Sequence, residues 1–449
     1  MRKNILKKST AVLVAVVLAA MTLSGCGAAP ADSTSQTETQ TEAGATDMET
    51  SEAADADTTE TSEAADADAT ETLEVADDES SETDTEADTD DTAETADPSA
   101  HLTAKEFTEK IIAGWNLGNT FDAYSGQAGE LRNDGLSTET CWGNPKTSQA
   151  IIDTVKDAGF NTIRIPVTWY THMDPNTYEI DQEWMDRVHE VVDYALDDDT
   201  YVIINMHHDT GTNGWLKASD TNLDQKKEIF EAIWTQVATS FADYDDNLVF
   251  ESFNEILNDN NDWSNPDKRA LEIVNELNQI FVDTVRSTGT SESGEANNNA
   301  DRVLIVNTYC AGTAKPMLNY FVAPTDTVEG AICGEVHAYT PYQYTAPEFP
   351  DDKSWSESDL KSNFQTIKTA FQLMKIPVII GEFGVVDKNN EADRLKYIDY
   401  YVTTAKEMGL KCIWWDNGIT REFGIINRKT LDLARASEVQ AIIDAANRD

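Results

Sequence analysis

Two glutamates in this chain of 449 residues are spaced to do chemistry together. Glu255 follows the run Leu248-Val-Phe-Glu-Ser-Phe-Asn254, and Glu382 lies in Ile380-Gly-Glu-Phe-Gly384. Each comes at the end of a short apolar segment of strand length. If both segments belong to one sheet, as its fourth and seventh strands, the carboxylates face each other across a cleft. Such a pair suits cleavage of a glycosidic bond: one carboxyl stays protonated for the leaving oxygen, and the other stays ionised to attack or to activate water. A lone glutamate at a strand end is more often an ion-pair partner, so the neighbours decide. Asn116, Arg164, His207-His208-Asp209, Asn254, His337 with Tyr339, and Trp415-Asp416-Asn417 also close apolar runs. Chance punctuation would be richer in Gly and Ser and would spare Trp and His.

The elements that must hold these residues are eight apolar runs: Ile111–Asn116, Thr162–Val167, Tyr201–Met206, Leu248–Phe253, Val303–Asn307, Ala331–Val336, Val378–Gly381 and Lys411–Trp415. Helical periodicity lies between them, as in Ala150-Ile-Ile-Asp-Thr-Val-Lys-Asp-Ala158 and Ala270-Leu-Glu-Ile-Val-Asn-Glu-Leu277. Gly159-Phe-Asn-Thr and Gly409-Leu-Lys-Cys mark helix-to-strand turns. Eight strands with helical spacers predict an α/β fold, a single (β/α)8 barrel over residues 101–449. A doubly wound open sheet would show the same alternation, and count and length favour closure. In a barrel the strand C-termini converge on one face, which would gather the polar residues into one mouth. Ser291–Asp301 and Tyr342–Trp355 are expected as loops on its rim.

Charge and composition bound the rest. The chain has 82 Asp and Glu against 33 Lys and Arg, a net charge of −49. No basic stripe is available to displace counterions from a phosphate backbone, so a nucleic-acid partner is excluded. Met1–Cys26 reads as an export signal: Arg2, Lys3, Lys7 and Lys8 precede an apolar run from Ala11 to Ala20, too short for a comfortable span. Leu23-Ser24-Gly25-Cys26 resembles a bacterial lipobox, which would leave Cys26 carrying lipid; an ordinary cleaved signal with an incidental Cys is the competing reading. Residues 27–100 are a Thr/Ser/Ala/Asp/Glu stretch expected to be a disordered spacer, with 25 acidic residues and no Lys or Arg from Gly27 to Pro98. An eleven-residue unit, Ser51 to Thr61, recurs from Ser62 with one change. Cys141, Cys310, Cys333 and Cys412 contain no C-x-x-C pair and are expected as buried free thiols.

The motifs Trp115-Asn-Leu-Gly-Asn119, Ile163-Arg-Ile-Pro-Val167, Phe253-Asn-Glu255, His337-Ala-Tyr339, Gly381-Glu-Phe-Gly384 and Trp414-Trp-Asp-Asn-Gly418 resemble, in order, those of glycoside hydrolase family 5, of clan A. The resemblance covers the chain from about Phe107 onward. It implies Glu255 as acid/base and Glu382 as nucleophile of a retaining double displacement. It also implies Asn254 on the 2-hydroxyl, Arg164 and Tyr339 on the nucleophile, His207 and His337 lining the cleft, and Trp415 as a sugar platform. Thr138-Glu-Thr-Cys-Trp-Gly-Asn-Pro145 and the paired histidines resemble the fourth subfamily, endo-β-1,4-glucanases and xyloglucanases. Asn116, Trp142 and Asn417 would then line the glycone half. His208 is read as a substrate contact; metal is not expected, because adjacent residues on a strand point to opposite faces. The resemblance implies a β-glucan polysaccharide substrate; no cofactor and a monomer are expected, and the N-terminal segment predicts a cell-surface or secreted location, with membrane contact only through the lipid anchor. A mannanase or xylanase of the same clan, or a non-catalytic surface glycan-binding protein, are the other readings.

Overall fold

The structure, a computed structural model, describes residues 101–449 apart from Gln127, Asp198 and Asp449. The signal-like segment, Cys26 and the acidic stretch lie outside the described residues. Eight parallel strands close into a barrel in chain order: β1 Gly114–Leu117, β2 Thr162–Ile165, β3 Tyr201–Asn205, β4 Leu248–Glu251, β5 Leu304–Asn307, β6 Ile332–His337, β7 Val378–Phe383 and β8 Lys411–Asp416. β1 pairs with β8 through Gly114 opposite Ile413, so the sheet has no open edge. All eight expected strands are present and the open-sheet alternative is set aside. Residues 111–113 are not strand: Ile111 caps helix α1, Ala104–Lys110, which a Thr103–Glu106 capping box starts. Gly159 and Gly409 end their helices at φ 103° and 77°, a conformation that costs residues with a Cβ.

Side chains alternate across each strand, and the inward set forms two layers. The lower layer is apolar: Tyr201, Ile203, Val249, Ile305, Cys333, Ile379 and Ile413, sealed from below by Phe107 and Ile111. Two residues further along the strands the inward positions become Asn116, Arg164, Asn205, Glu251, Asn307 and Glu335, all without solvent exposure. The outward set packs against the helices, as where Leu271, Val274, Leu277, Phe281 and Val285 lie at helical spacing along the helix Lys268–Ser287.

Two expectations need correction. Ser291–Asp301 connects the helix Lys268–Ser287 to β5, so it lies at the strand N-terminal end, away from the mouth. Among the cysteines, Cys310, Cys333 and Cys412 are buried and free, whereas Cys141 is free but exposed. Among the described residues no helix is long and apolar enough to cross a membrane.

Candidate active site

Arg164 organises the upper layer. Its Nε and Nη2 donate to the two oxygens of Glu251 at 2.6 and 2.8 Å. Nη1 donates to Glu382 Oε1 at 2.9 Å and to Asn116 Oδ1 at 2.8 Å, and Nη2 reaches Asn254 Oδ1 at 3.0 Å. Burial opposes a charge here, but Glu251, Glu335 and Glu382 outweigh it and hold the guanidinium firmly protonated. With Oδ1 engaged by Arg164, the Asn254 amide nitrogen is left to face a ligand.

Strict alternation from Ile380 would point Glu382 outward, but Phe383 also packs in the helix-facing core, so the alternation breaks between them. The pairing of β7 with β8 shifts register between Ile380 and Phe383, and that of β6 with β7 shifts between Val336 and His337. These irregularities turn Glu382 into the mouth, a common use of bulges beside functional sites. Gly381 leaves room for the Glu335 carboxylate beside it: a Cβ there would fall 1.5 Å from Glu335 Oε1. Tyr339 Oη donates to Glu382 Oε2 at 2.8 Å, and His337 Nδ1 lies 2.8 Å from Glu255 Oε1. One oxygen of Glu255 and one of Glu382 come within 4.8 Å of each other with His337 between them. Burial raises the Glu382 carboxyl above its ordinary value, with His337 and Arg164 pulling against it.

The cavity over this pair is lined by His207, His208, Asn254, His337, Tyr339 and Trp415 among the expected residues. Trp415 stacks parallel to His207 with ring centroids 5.7 Å apart. Three expected lining residues sit elsewhere. Asn116 is beneath the floor, donating to Gly381 O at 2.9 Å, where it steadies β7 beside Glu382. Asn417 is buried in the rim loop, donating to Glu422 Oε2 and accepting from Ile419 N. Trp142 spends its indole N–H on Tyr124 O at 3.1 Å and backs Tyr124 and His208, which line the cavity in its place.

The strand argument for the paired histidines also fails, because both lie beyond the end of β3. Their rings are 4.6 Å apart. Asn205 decides what His207 can do: its Oδ1 accepts from Val167 N, so its amide nitrogen donates to His207 Nδ1 at 3.2 Å. The remaining proton of His207 is therefore on Nε2, and burial keeps the ring neutral. Asp209 accepts from Trp169 N, Tyr170 N and Trp215 Nε1 and braces the loop. Sequence reasoning missed Glu251 and Glu335 below the site. It also missed the aromatic surface of Tyr124, Trp263 and Tyr342 around it. Among the described residues the Trp263 indole N–H has no hydrogen-bond partner.

The model of the cellulase family, glycosyl hydrolase family 5, matches residues 125–421. Endoglucanase B of Neocallimastix patriciarum is 39% identical over 354 residues, spanning 76% of this chain and 72% of that relative. The chain belongs to glycoside hydrolase family 5. Among solved structures, a broad-specificity endoglucanase of the fourth subfamily from Ruminococcus champanellensis, with cellotriose bound, aligns at a TM-score of 0.71 and 39% identity. That alignment covers 77% of this chain and 99% of the other. A xyloglucan-specific endo-β-1,4-glucanase from a metagenomic library, also with cellotriose, aligns at 0.69 and 39% identity over 76% and 98% of the two chains. This family 5 member is a glycoside hydrolase, and the barrel mouth is where such enzymes work.

Proposed function

We propose that the chain is a retaining endo-β-1,4-glucanase with Glu255 as acid/base and Glu382 as nucleophile. The observation that carries this reading is the separation of the two carboxylates. One oxygen of Glu255 lies within 4.8 Å of one oxygen of Glu382, which supports the short carboxyl spacing of a retaining enzyme. Direct attack with retention needs carboxyls about 5–5.5 Å apart, and inversion needs about 6.5–9.5 Å. In the first step Glu382 bonds to the anomeric carbon while the Glu255 proton passes to the departing oxygen. In the second, Glu255 takes a proton from water, which displaces Glu382. Asn254 holds the 2-hydroxyl and Trp415 offers its flat face to the apolar side of a sugar ring. The substrate is a β-1,4-linked glucan, whether cellulose-type, mixed-linkage or xyloglucan, and the enzyme acts as a monomer.

Initial rates of reducing-end release on carboxymethylcellulose, mixed-linkage glucan, xyloglucan, xylan and mannan test this with residues 99–449. Turnover on the glucans is expected. Hydrolysis confined to xylan or mannan would keep the mechanism and reject the glucan substrate. Binding of glucan without turnover would mark a glycan-binding surface instead.

We further propose that Cys26 carries lipid and tethers the enzyme to the outside of a bacterial cell. The motif Leu23-Ser24-Gly25-Cys26 and the acidic spacer after it support this reading. Metabolic labelling with a fatty acid should mark the full chain, and label that persists in Cys26→Ala would reject the anchor.

A further inference from the structure

Beneath the acid/base lies a carboxylate that the reaction above does not use. Glu335 on β6 is fully buried, and its Oε1 stands 3.2 Å from His337 Nε2. The other ring nitrogen, Nδ1, faces Glu255 Oε1 at 2.8 Å. The three groups form a line from the barrel interior to the leaving-group oxygen. β7 is shaped to admit the first of them, since any Cβ at Gly381 would collide with the Glu335 carboxylate.

A neutral imidazole has one proton and two nitrogens, and its partners choose between them. An anionic carboxylate at Nε2 requires the proton there. Nδ1 then presents a lone pair to Glu255, whose acid form donates to it. If that proton crosses, an imidazolium faces a carboxylate. In both states the pair holds one transferable proton.

We propose that Glu335 is a positioning residue for the acid step: it fixes the Nε2–H form of His337 and stabilises its imidazolium, so that Glu255 and His337 hold the transferable proton jointly. A buried carboxylate orienting a histidine in this way is the logic of hydrolase triads. The proposal rests on the acid/base role of Glu255. When the glycosidic C–O bond breaks, its electron pair goes to the leaving oxygen, which takes the proton from the pair as Glu382 forms its ester. When water displaces Glu382, its proton returns to the pair.

Every charged neighbour bears on this proton. Arg164 from β2, His207 beyond β3, Glu251 on β4 and Glu255 beyond it, Tyr339 beyond β6 and Glu382 on β7 face the Glu335–His337 couple. The thiols of Cys333 and Cys310, near Glu335 and Glu255, are pushed up by burial and stay neutral. Burial alone would raise the Glu335 carboxyl, but Arg164 and His337 outweigh it and hold it down at about 2. Burial pushes its neighbour Glu251 up to about 7. Burial would likewise lower His337, yet Glu382, Glu255 and Glu335 together raise it well above its ordinary value.

Glu335→Gln keeps the shape and an acceptor for Nε2–H while removing the charge. The imidazolium loses a stabilising anion, so the pair releases its proton at lower pH. The alkaline limb of kcat/KM on glucan should move down by about one pH unit, a tenfold loss above the limb. A dinitrophenyl cellobioside has a leaving group that needs no proton, and its kcat/KM should fall only about twofold. An unmoved alkaline limb, or equal losses on both substrates, would overturn the proposal. If the variant does not fold, nitrogen-15 spectra of histidine-labelled wild type decide. They should show His337 protonated at Nε2 across the active pH range, and a bare Nε2 with the proton on Nδ1 overturns the proposal. A wild type inert on every β-glycan would instead sink the glucanase reading and this proposal with it.

Discussion

Glu382→Gln should lose about five orders of magnitude in kcat on glucan polymers, the scale of removing a covalent nucleophile whose partners stay in place. The amide is nearly isosteric, so Arg164 and Tyr339 keep a neighbour of the same shape and the cavity lining is unchanged. What disappears is the anion that attacks carbon. Calorimetry with cellotriose should therefore show binding within a few-fold of wild type while turnover vanishes. A smaller replacement, Glu382→Gly, opens space for azide to enter from the nucleophile's side. It should restore cleavage of an activated aryl cellobioside with an α-glycosyl azide as product, because only one displacement then occurs. A β-azide, or a Glu382→Gln enzyme retaining more than about a hundredth of its activity, would assign the attack to another group.

Arg164→Met should destabilise the barrel by about 3–5 kcal/mol, the usual cost of stranding buried charges by removing one partner. Glu251 and Glu382 both rely on this guanidinium, which contacts them at 2.6 to 2.9 Å. The sign of the pH dependence follows. Burial already raises both carboxyls above their unfolded values, and losing Arg164 raises them further, so the folded variant binds more protons than the folded wild type. Its stability then falls as pH rises from the unfolded carboxylate range toward neutrality. Urea unfolding at pH 7 and at pH 5 should show a smaller deficit against wild type at pH 5. A deficit that grows on acidification would mean these carboxyls are not charged in the native protein.

The barrel was legible because parallel strands buried on both faces read as apolar runs, and most of them carry polar residues at or just beyond their C-terminal ends. Position along a strand gave height within the barrel well, and direction poorly. Asn116 and Asn417 have the right height, yet Asn116 points below the floor and Asn417 into its own loop. Strand periodicity would separate His207 and His208, but it ends at Asn205. Glu251 and Glu335 were overlooked inside apolar runs. Their signal was present, because each lies two residues after an inward apolar side chain, Val249 and Cys333. Ser291–Asp301 is not on the rim, because a loop that follows a helix returns to the strand N-terminal end. The bulge that turns Glu382 inward has only Gly381 as its trace in the sequence.

Gly381 and Glu335 occupy one volume between them, and this ties their histories together. A lineage that gained any side chain at position 381 while Glu335 remained would pass through a clashing intermediate. One that shortened Glu335 first would leave Arg164 and His337 facing one anion fewer until the gap was filled. The two positions are therefore expected to couple, a change at one being tolerated only with a change at the other. Coupling of this kind would hold a catalytic environment constant even where the surface around it changed.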